Sequence, residues 1–187
     1  DKQPFTLKVV ADLITSMQCA SVKIFDVHSN IATQLLPPGA INVRPLWEVA
    51  EVVRHHLGAV LVAPDAGATK RVEEFSQHLR VPMVQCSKHR NPNTGNLSDF
   101  QVLDTATVKG KTCIITDDIC DGGRTFTGLA DKLRQAGATS VVLYISHGIF
   151  SNGFTLPGID EIWTTNSYRD TDQYPPGIRV MPMWINS

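Results

Sequence analysis

Apolar positions along this chain repeat at two spacings, and the switch between them marks its elements. Phe5, Val9, Val10, Leu13, Ile14 and Met17 fall at helical spacing and predict an amphipathic helix over about residues 6–18. Val22 to Phe25 reads as a short buried strand, and Leu35 to Pro45, with Pro37, Pro38, Gly39 and Pro45, reads as a loop. Leu46, Val49, Val52 and Val53 predict a helix ending near His56. The unbroken apolar run Ala59 to Ala63 predicts a buried strand. A second amphipathic helix follows with Val72, Phe75 and Leu79 facing inward, and then a short strand from Val81 to Cys86.

The pattern then turns polar. Ser87 to Asn96 is rich in turn formers and predicts a mobile loop. After Phe100 to Leu103, the turn Lys109-Gly110-Lys111 launches a strand from Thr112. Phe126, Leu129, Ala130, Leu133 and Ala136 then mark a helix stopped by Gly137. Val141 to Ile145 and Ile162 to Thr164 predict further strands, 166–178 is polar, and Val180 to Trp184 predicts a last edge strand. Strands alternating with helices in this way define an α/β fold, a mainly parallel twisted sheet with helices on both faces and right-handed crossovers.

Composition narrows the function. The 187 residues are 42% hydrophobic and 19% charged with a formal net charge of -1, so no broad basic field exists for nucleic acid and any anion binding must be local. The four cysteines form no CxxC pair, which argues against a zinc site or a disulfide framework and fits a reducing, cytoplasmic setting. No run approaches the roughly 18 apolar residues of a membrane span. The start, DKQPFTLKVV, is not a signal peptide, and its lack of methionine points to a processed product or a fragment.

The candidate chemistry sits where strands end. Thr112 to Thr127, TCIITDDICDGGRTFT, runs an apolar strand into Asp117, Asp118 and Asp121 and opens a helix through Gly122 and Gly123. Helix-start amides with glycines suit phosphate, and carboxylates suit ribose hydroxyls or a magnesium ion. An acidic turn with an ordinary helix cap would have the same letters. Pro64 to Arg71 makes a second strand-to-helix turn, in which Ala66, Gly67 and Ala68 allow close backbone approach. Asp65 can bind a metal there, and Lys70 or Arg71 can balance phosphate charge. Asp26-Val27-His28 follows the first strand, at a position where open α/β sheets bind ligands. Because every candidate turn follows a strand, all are expected at one rim.

Together these motifs, from about residue 5 to 165, resemble the C-terminal part of the ribose-phosphate diphosphokinase family, the phosphoribosyl pyrophosphate synthetases. FDVHS is similar to a strand-DxH element whose histidine, here His28, contacts ATP and its magnesium. APDAGATKR resembles the pyrophosphate loop, which implies Asp65 at Mg2+ and Ala66, Gly67 and Ala68 against phosphate. SKHR resembles the catalytic flexible loop, with Lys88 and Arg90 stabilising charge. ITDDICDGGRT resembles the ribose 5-phosphate loop, with Asp117, Asp118 and Asp121 near ribose and Gly122, Gly123, Arg124 and Thr125 around the 5-phosphate; YISHGIFS matches a strand end. The resemblance implies a type I phosphoribosyltransferase-like fold and transfer of diphosphate from ATP to the 1-hydroxyl of ribose 5-phosphate. It also implies a homo-oligomer, with residues 1–187 forming the C-terminal domain and the N-terminal companion largely absent.

Where relatives read DTGGT or DTAGT, this chain has Gly122, Gly123 and Arg124 after Asp121. That form resembles a divergent branch linked to nicotinamide salvage, in which ADP-ribose is the acceptor and an added guanidinium grips a second phosphate. A base-transferring phosphoribosyltransferase, a regulatory or inactive relative and a plain nucleotide-binding module are the other readings.

Overall fold

The computed structural model describes residues 5–90 and 97–183. Its contacts divide the chain into two compact units, one extending to Pro45 and the other from Leu46 to Met183.

The first unit holds α1 (Thr6–Ser16), β1 (Lys23–Phe25), α2 (Asn30–Leu35) and β2 (Ile41–Val43), with β1 and β2 paired in parallel. One expectation changes here: the stretch 35–45 is not all loop, because Ile41 to Val43 completes a ladder with Lys23 to Phe25. The amphipathic helix expected over 6–18 forms as α1; only Ala11 on it is buried, while Val9, Val10, Leu13 and Met17 are 46–70% exposed. After β1, Asp26 is buried in the left-handed region at φ 45°, a conformation costing a non-glycine residue about 1–3 kcal/mol. Its amide donates to the Val43 carbonyl and its carboxylate faces Arg44 at 3.4 Å, so neighbours hold the turn that ends in exposed His28.

The second unit runs α3 (Leu46–His55), β3 (Val60–Ala63), α4 (Ala66–Leu79), β4 (Met83–Arg90), β5 (Leu97–Val102) and α5 (Thr105–Val108). It continues through β6 (Thr112–Cys120), α6 (Arg124–Gln135), β7 (Ser140–Gly148), β8 (Glu161–Thr165), a 3-10 turn (Thr171–Gln173) and β9 (Ile178–Met181). The seven strands lie in the order β5-β4-β3-β6-β7-β8-β9, and all pairs are parallel except β4 with β5. Helices cover both faces. Val49, Val52, Val72 and Phe75 from α3 and α4 pack on Leu61, Ile114, Val142 and Tyr144. Phe126, Leu129 and Leu133 from α6 pack on Val62, Cys113, Ile115, Val141 and Leu143 of the opposite face. Alternate residues of β6 and β7 therefore serve different cores, and each fully buried Leu, Ile or Phe contributes about 1.5–3 kcal/mol.

β4 corrects the sequence reading. The strand does not stop at Cys86 but continues to Arg90, pairing Lys88 with Phe100 and Arg90 with Leu97 and shifting register between His89 and Arg90. Lys88 and Arg90 thus sit on a strand of a hairpin rather than in a loop. The remainder of the expected loop, 91–96, lies outside the described residues.

Candidate functional site

The strand order locates the site. From β3 the chain steps to β4 on one side, and after the hairpin it returns to place β6 on the other side of β3 before continuing to β7. Because the helices after β3 and β6 lie on opposite faces, their first turns diverge at the carboxyl ends of two neighbouring strands. A crevice opens at such a reversal, and ligands of open α/β sheets bind there.

Both turns of the DGG and DAGA sequences lie at this reversal. β3 pairs with β6 as Val60 with Cys113, Leu61 with Ile114 and Val62 with Ile115, so β6 outruns β3 and carries Asp117 and Asp118 past its end. On the β3 side, Asp65 caps α4, its Oδ1 accepting from the amides of Gly67 at 3.0 Å and Ala68 at 3.2 Å. Two of the three residues expected to meet phosphate, Gly67 and Ala68, therefore have their amides engaged by the chain's own carboxylate.

On the β6 side, Gly123 is the N-cap of α6, with φ 76° and no side-chain cap. A Cβ there would lie 2.3 Å from Leu156 Cδ2, so both the conformation and the space call for glycine. Asn152 Nδ2 donates to the Gly122 carbonyl at 3.4 Å. Asp121 and Arg124 are exposed on either side of this glycine pair, and Thr125 is half-buried in the first turn of α6.

Between the two turns lies an ion cluster. Arg71, from the second turn of α4, donates from Nη2 to Asp117 Oδ1 at 2.9 Å and approaches Asp118 Oδ2 at 3.7 Å through Nη1. The Asp118 amide donates to the same Asp117 oxygen at 3.0 Å. Burial pushes the Asp117 carboxyl up to about 6. The Arg71 guanidinium opposes that shift, the Asp118 charge adds to it, the Asp118 amide opposes it, and the charge of Asp65 adds a last contribution. Asp65 and Asp117 thus feel one another across the reversal.

Sequence reasoning placed Asp65, Ala66, Gly67, Ala68, Asp117, Asp118, Asp121, Gly122, Gly123, Arg124 and Thr125 near these strand ends, and the fold brings both groups to one rim of the second unit. The β4–β5 hairpin carries Lys88 and Arg90 beyond the same rim, since Gln85 already lies opposite Ala63 at the end of β3. His28 belongs to the first unit. Two features were missed. Arg71 was read as a phosphate counter-charge but is buried against the aspartates; the signal was its place at the apolar spacing Ala68, Arg71, Val72, Phe75. At the end of β7, the His147 Nδ1 contacts Ser167 Oγ at 2.7 Å, and that hydroxyl also donates to the Ser146 carbonyl at 2.9 Å. No short-range pattern links positions 20 residues apart.

Magnesium binds oxygen donors, keeps several waters, and is held by one or two carboxylates together with substrate phosphates. Asp65 can supply such a carboxylate. Among the described residues there is no group of three or more His, Cys, Asp or Glu that could hold a metal ion. Among them, too, no helix is long and apolar enough to cross a membrane.

Known proteins share this organisation. A ribose-phosphate pyrophosphokinase of Bradyrhizobium diazoefficiens is 29% identical over 97% of this chain and 59% of its own length. One from Thermococcus kodakarensis is 30% identical over 89% of this chain and 60% of its own. The crystal structure of phosphoribosylpyrophosphate synthetase from Mycobacterium smegmatis superposes with a TM-score of 0.78 at 26% identity, covering 97% of this chain and 61% of that one. The chain therefore spans about three-fifths of the length of these relatives. The family model described as phosphoribosyl transferase domain matches residues 47–152. That match takes in β3 to β7, the acid pair and both helix-opening turns, and it makes this chain a member of the phosphoribosyl transferase domain family.

Proposed function

We propose that the rim of the second unit serves a diphosphate transfer from Mg2+-bound ATP to the anomeric 1-hydroxyl of ribose 5-phosphate. The new bond joins that oxygen to the β-phosphorus, the bond between the β-phosphorus and the α,β-bridging oxygen breaks, AMP leaves, and the hydroxyl proton passes to solvent. The observation that carries this reading is the pairing of two helix-opening turns at the β3/β6 reversal, with an acid pair between them. One turn suits a diphosphate and the other a sugar phosphate. Similarity to ribose-phosphate pyrophosphokinases supports it.

In this scheme Gly122, Gly123, Arg124 and Thr125 receive the 5-phosphate, and Asp118 and Asp121 receive ribose hydroxyls. Asp65 would supply a carboxylate to the metal, and the amides of Gly67 and Ala68 that it now caps would then be open to the diphosphate being transferred. Lys88 and Arg90 neutralise charge on the transferring group. The magnesium ion neutralises phosphate charge when bound. The protein's part is positioning, because phosphoryl transfer leaves little covalent work to side chains. The protein is a homo-oligomer of the cytoplasm in this reading.

A second acceptor is favoured by one observation. Arg124 stands exposed on the first turn of α6, where its fork can grip a further phosphate of ADP-ribose. Mass spectrometry of products from ATP with each sugar decides between them. AMP together with a diphosphorylated ribose 5-phosphate supports the first acceptor, the ADP-ribose counterpart supports the second, and no AMP from either sinks the transfer reading.

A further inference from the structure

Arg71 occupies a position that the helix pattern reserves for an apolar side chain. Ala68, Val72 and Phe75 on the same face of α4 are core residues, and Arg71 is only 7% exposed among them. A guanidinium is taken out of water at such a place only when charged partners complete its bonds. Here they come from the strand beyond β3. Asp117 Oδ1 accepts both Arg71 Nη2 at 2.9 Å and the Asp118 amide at 3.0 Å, and Asp118 Oδ2 lies 3.7 Å from Arg71 Nη1. Asp117 is accordingly a bridge between α4 and the β6 backbone, with one oxygen already committed, and is a poor candidate for a primary ribose contact.

Resting on the diphosphate-transfer reading above, we propose that Arg71 is a positioning residue for the sugar acceptor. It fixes Asp117 and Asp118 as a unit, so that Asp118 presents its carboxylate to the ribose hydroxyls in one orientation, while Asp117 supports from behind. The same contact ties α4, whose first turn is the diphosphate side, to the strand that carries the acceptor side. Without Arg71 the two carboxylates and nearby Asp65 repel one another with this counter-charge removed, and Asp118 loses the guanidinium that fixes its direction. Lysine in its place keeps a charge but cannot reach both carboxylates through a planar fork.

Calorimetric binding of ribose 5-phosphate, ADP-ribose and Mg-ATP to the unmodified chain, R71K and R71M tests this, with circular dichroism confirming the fold. Removing a supporting partner of this kind weakens the supported function about 10- to 100-fold. R71M is expected to lose acceptor affinity in that range while Mg-ATP affinity changes less than about threefold, with R71K falling between. A merely structural role would weaken both ligands together, and that result, or unchanged acceptor binding in folded R71M, overturns the proposal. Should R71M fail to fold, R71K carries the same comparison. If the unmodified chain binds neither sugar, the transfer reading falls and takes this proposal's substrate with it. If it binds one and the variants bind it equally well, only the proposal falls.

Discussion

Replacing Gly123 with alanine tests the geometry of the acceptor turn without touching any charged group. Two separate costs are expected. The residue sits at φ 76°, where a Cβ meets the following carbonyl at about 1–2 kcal/mol. The new methyl would also lie 2.3 Å from Leu156 Cδ2, so the neighbour must move, and overpacking of this kind costs about 1–3 kcal/mol. The sum is about 2–5 kcal/mol, which in a chain of this size lowers the melting temperature by about 4–20 °C. Urea denaturation followed by tryptophan fluorescence suits the measurement, because Trp163 is buried in the affected unit. A double-mutant cycle with Leu156→Ala then separates the costs. Truncation removes the clashing atom but leaves the backbone strain, so the two changes should couple favourably by about 1–3 kcal/mol. A loss below about 1 kcal/mol in Gly123→Ala, or strict additivity with Leu156→Ala, refutes the reasoning.

Three other outcomes follow from the site. Lys88→Ala combined with Arg90→Ala should lower the kcat for AMP release by about 100-fold or more with melting unchanged within a few degrees, and normal turnover would remove both residues from the mechanism. Arg124→Ala should weaken ADP-ribose more than ribose 5-phosphate, by about 1.5–3 kcal/mol for a lost charge-assisted bond; equal effects on both sugars would deny it a role in acceptor choice. The third concerns pH. Asp117 has its carboxyl raised to about 6 in the fold, so the folded protein holds a proton that the unfolded chain has released. The associated stability is fully present below about pH 4 and is lost as pH rises through 6, amounting to about 3 kcal/mol. Measured against Asp117→Asn, wild-type stability should fall by that amount between pH 4 and 7, and a flat difference would contradict the burial argument.

Much of this molecule could be read from letters because its signals are local. Ala59 to Ala63 and Val141 to Ile145 are unbroken apolar runs, and Phe126, Leu129 and Leu133 are spaced for one face of a helix, so the buried sheet and its covering helices were legible. The positions of Asp65, Asp118 and Gly123 were legible because strand-to-helix turns need particular residues. Less local features were not. β2 exists only because Ile41 to Val43 finds a partner at Lys23 to Phe25, and a three-residue segment among prolines gives no sign of that. β4 reads as polar loop beyond Cys86, yet the strand is maintained by cross-strand pairing with β5 rather than by apolar alternation. Arg71 was visible as a cation, but its direction follows from β6 extending past β3, a fact of register that no window of sequence contains.

The thiols have a practical consequence. Cys86, Cys113 and Cys120 are buried, with burial pushing them up to about 12, 11 and 12, whereas Cys19 is exposed on the first unit. Thiolates are the reactive form, so a maleimide dye added to native protein should attach at Cys19 alone. Such a dye becomes a reporter placed on the unit that carries His28 without altering the sheet that carries the acid pair. Opening of the second unit would meanwhile register as three further modifications by mass.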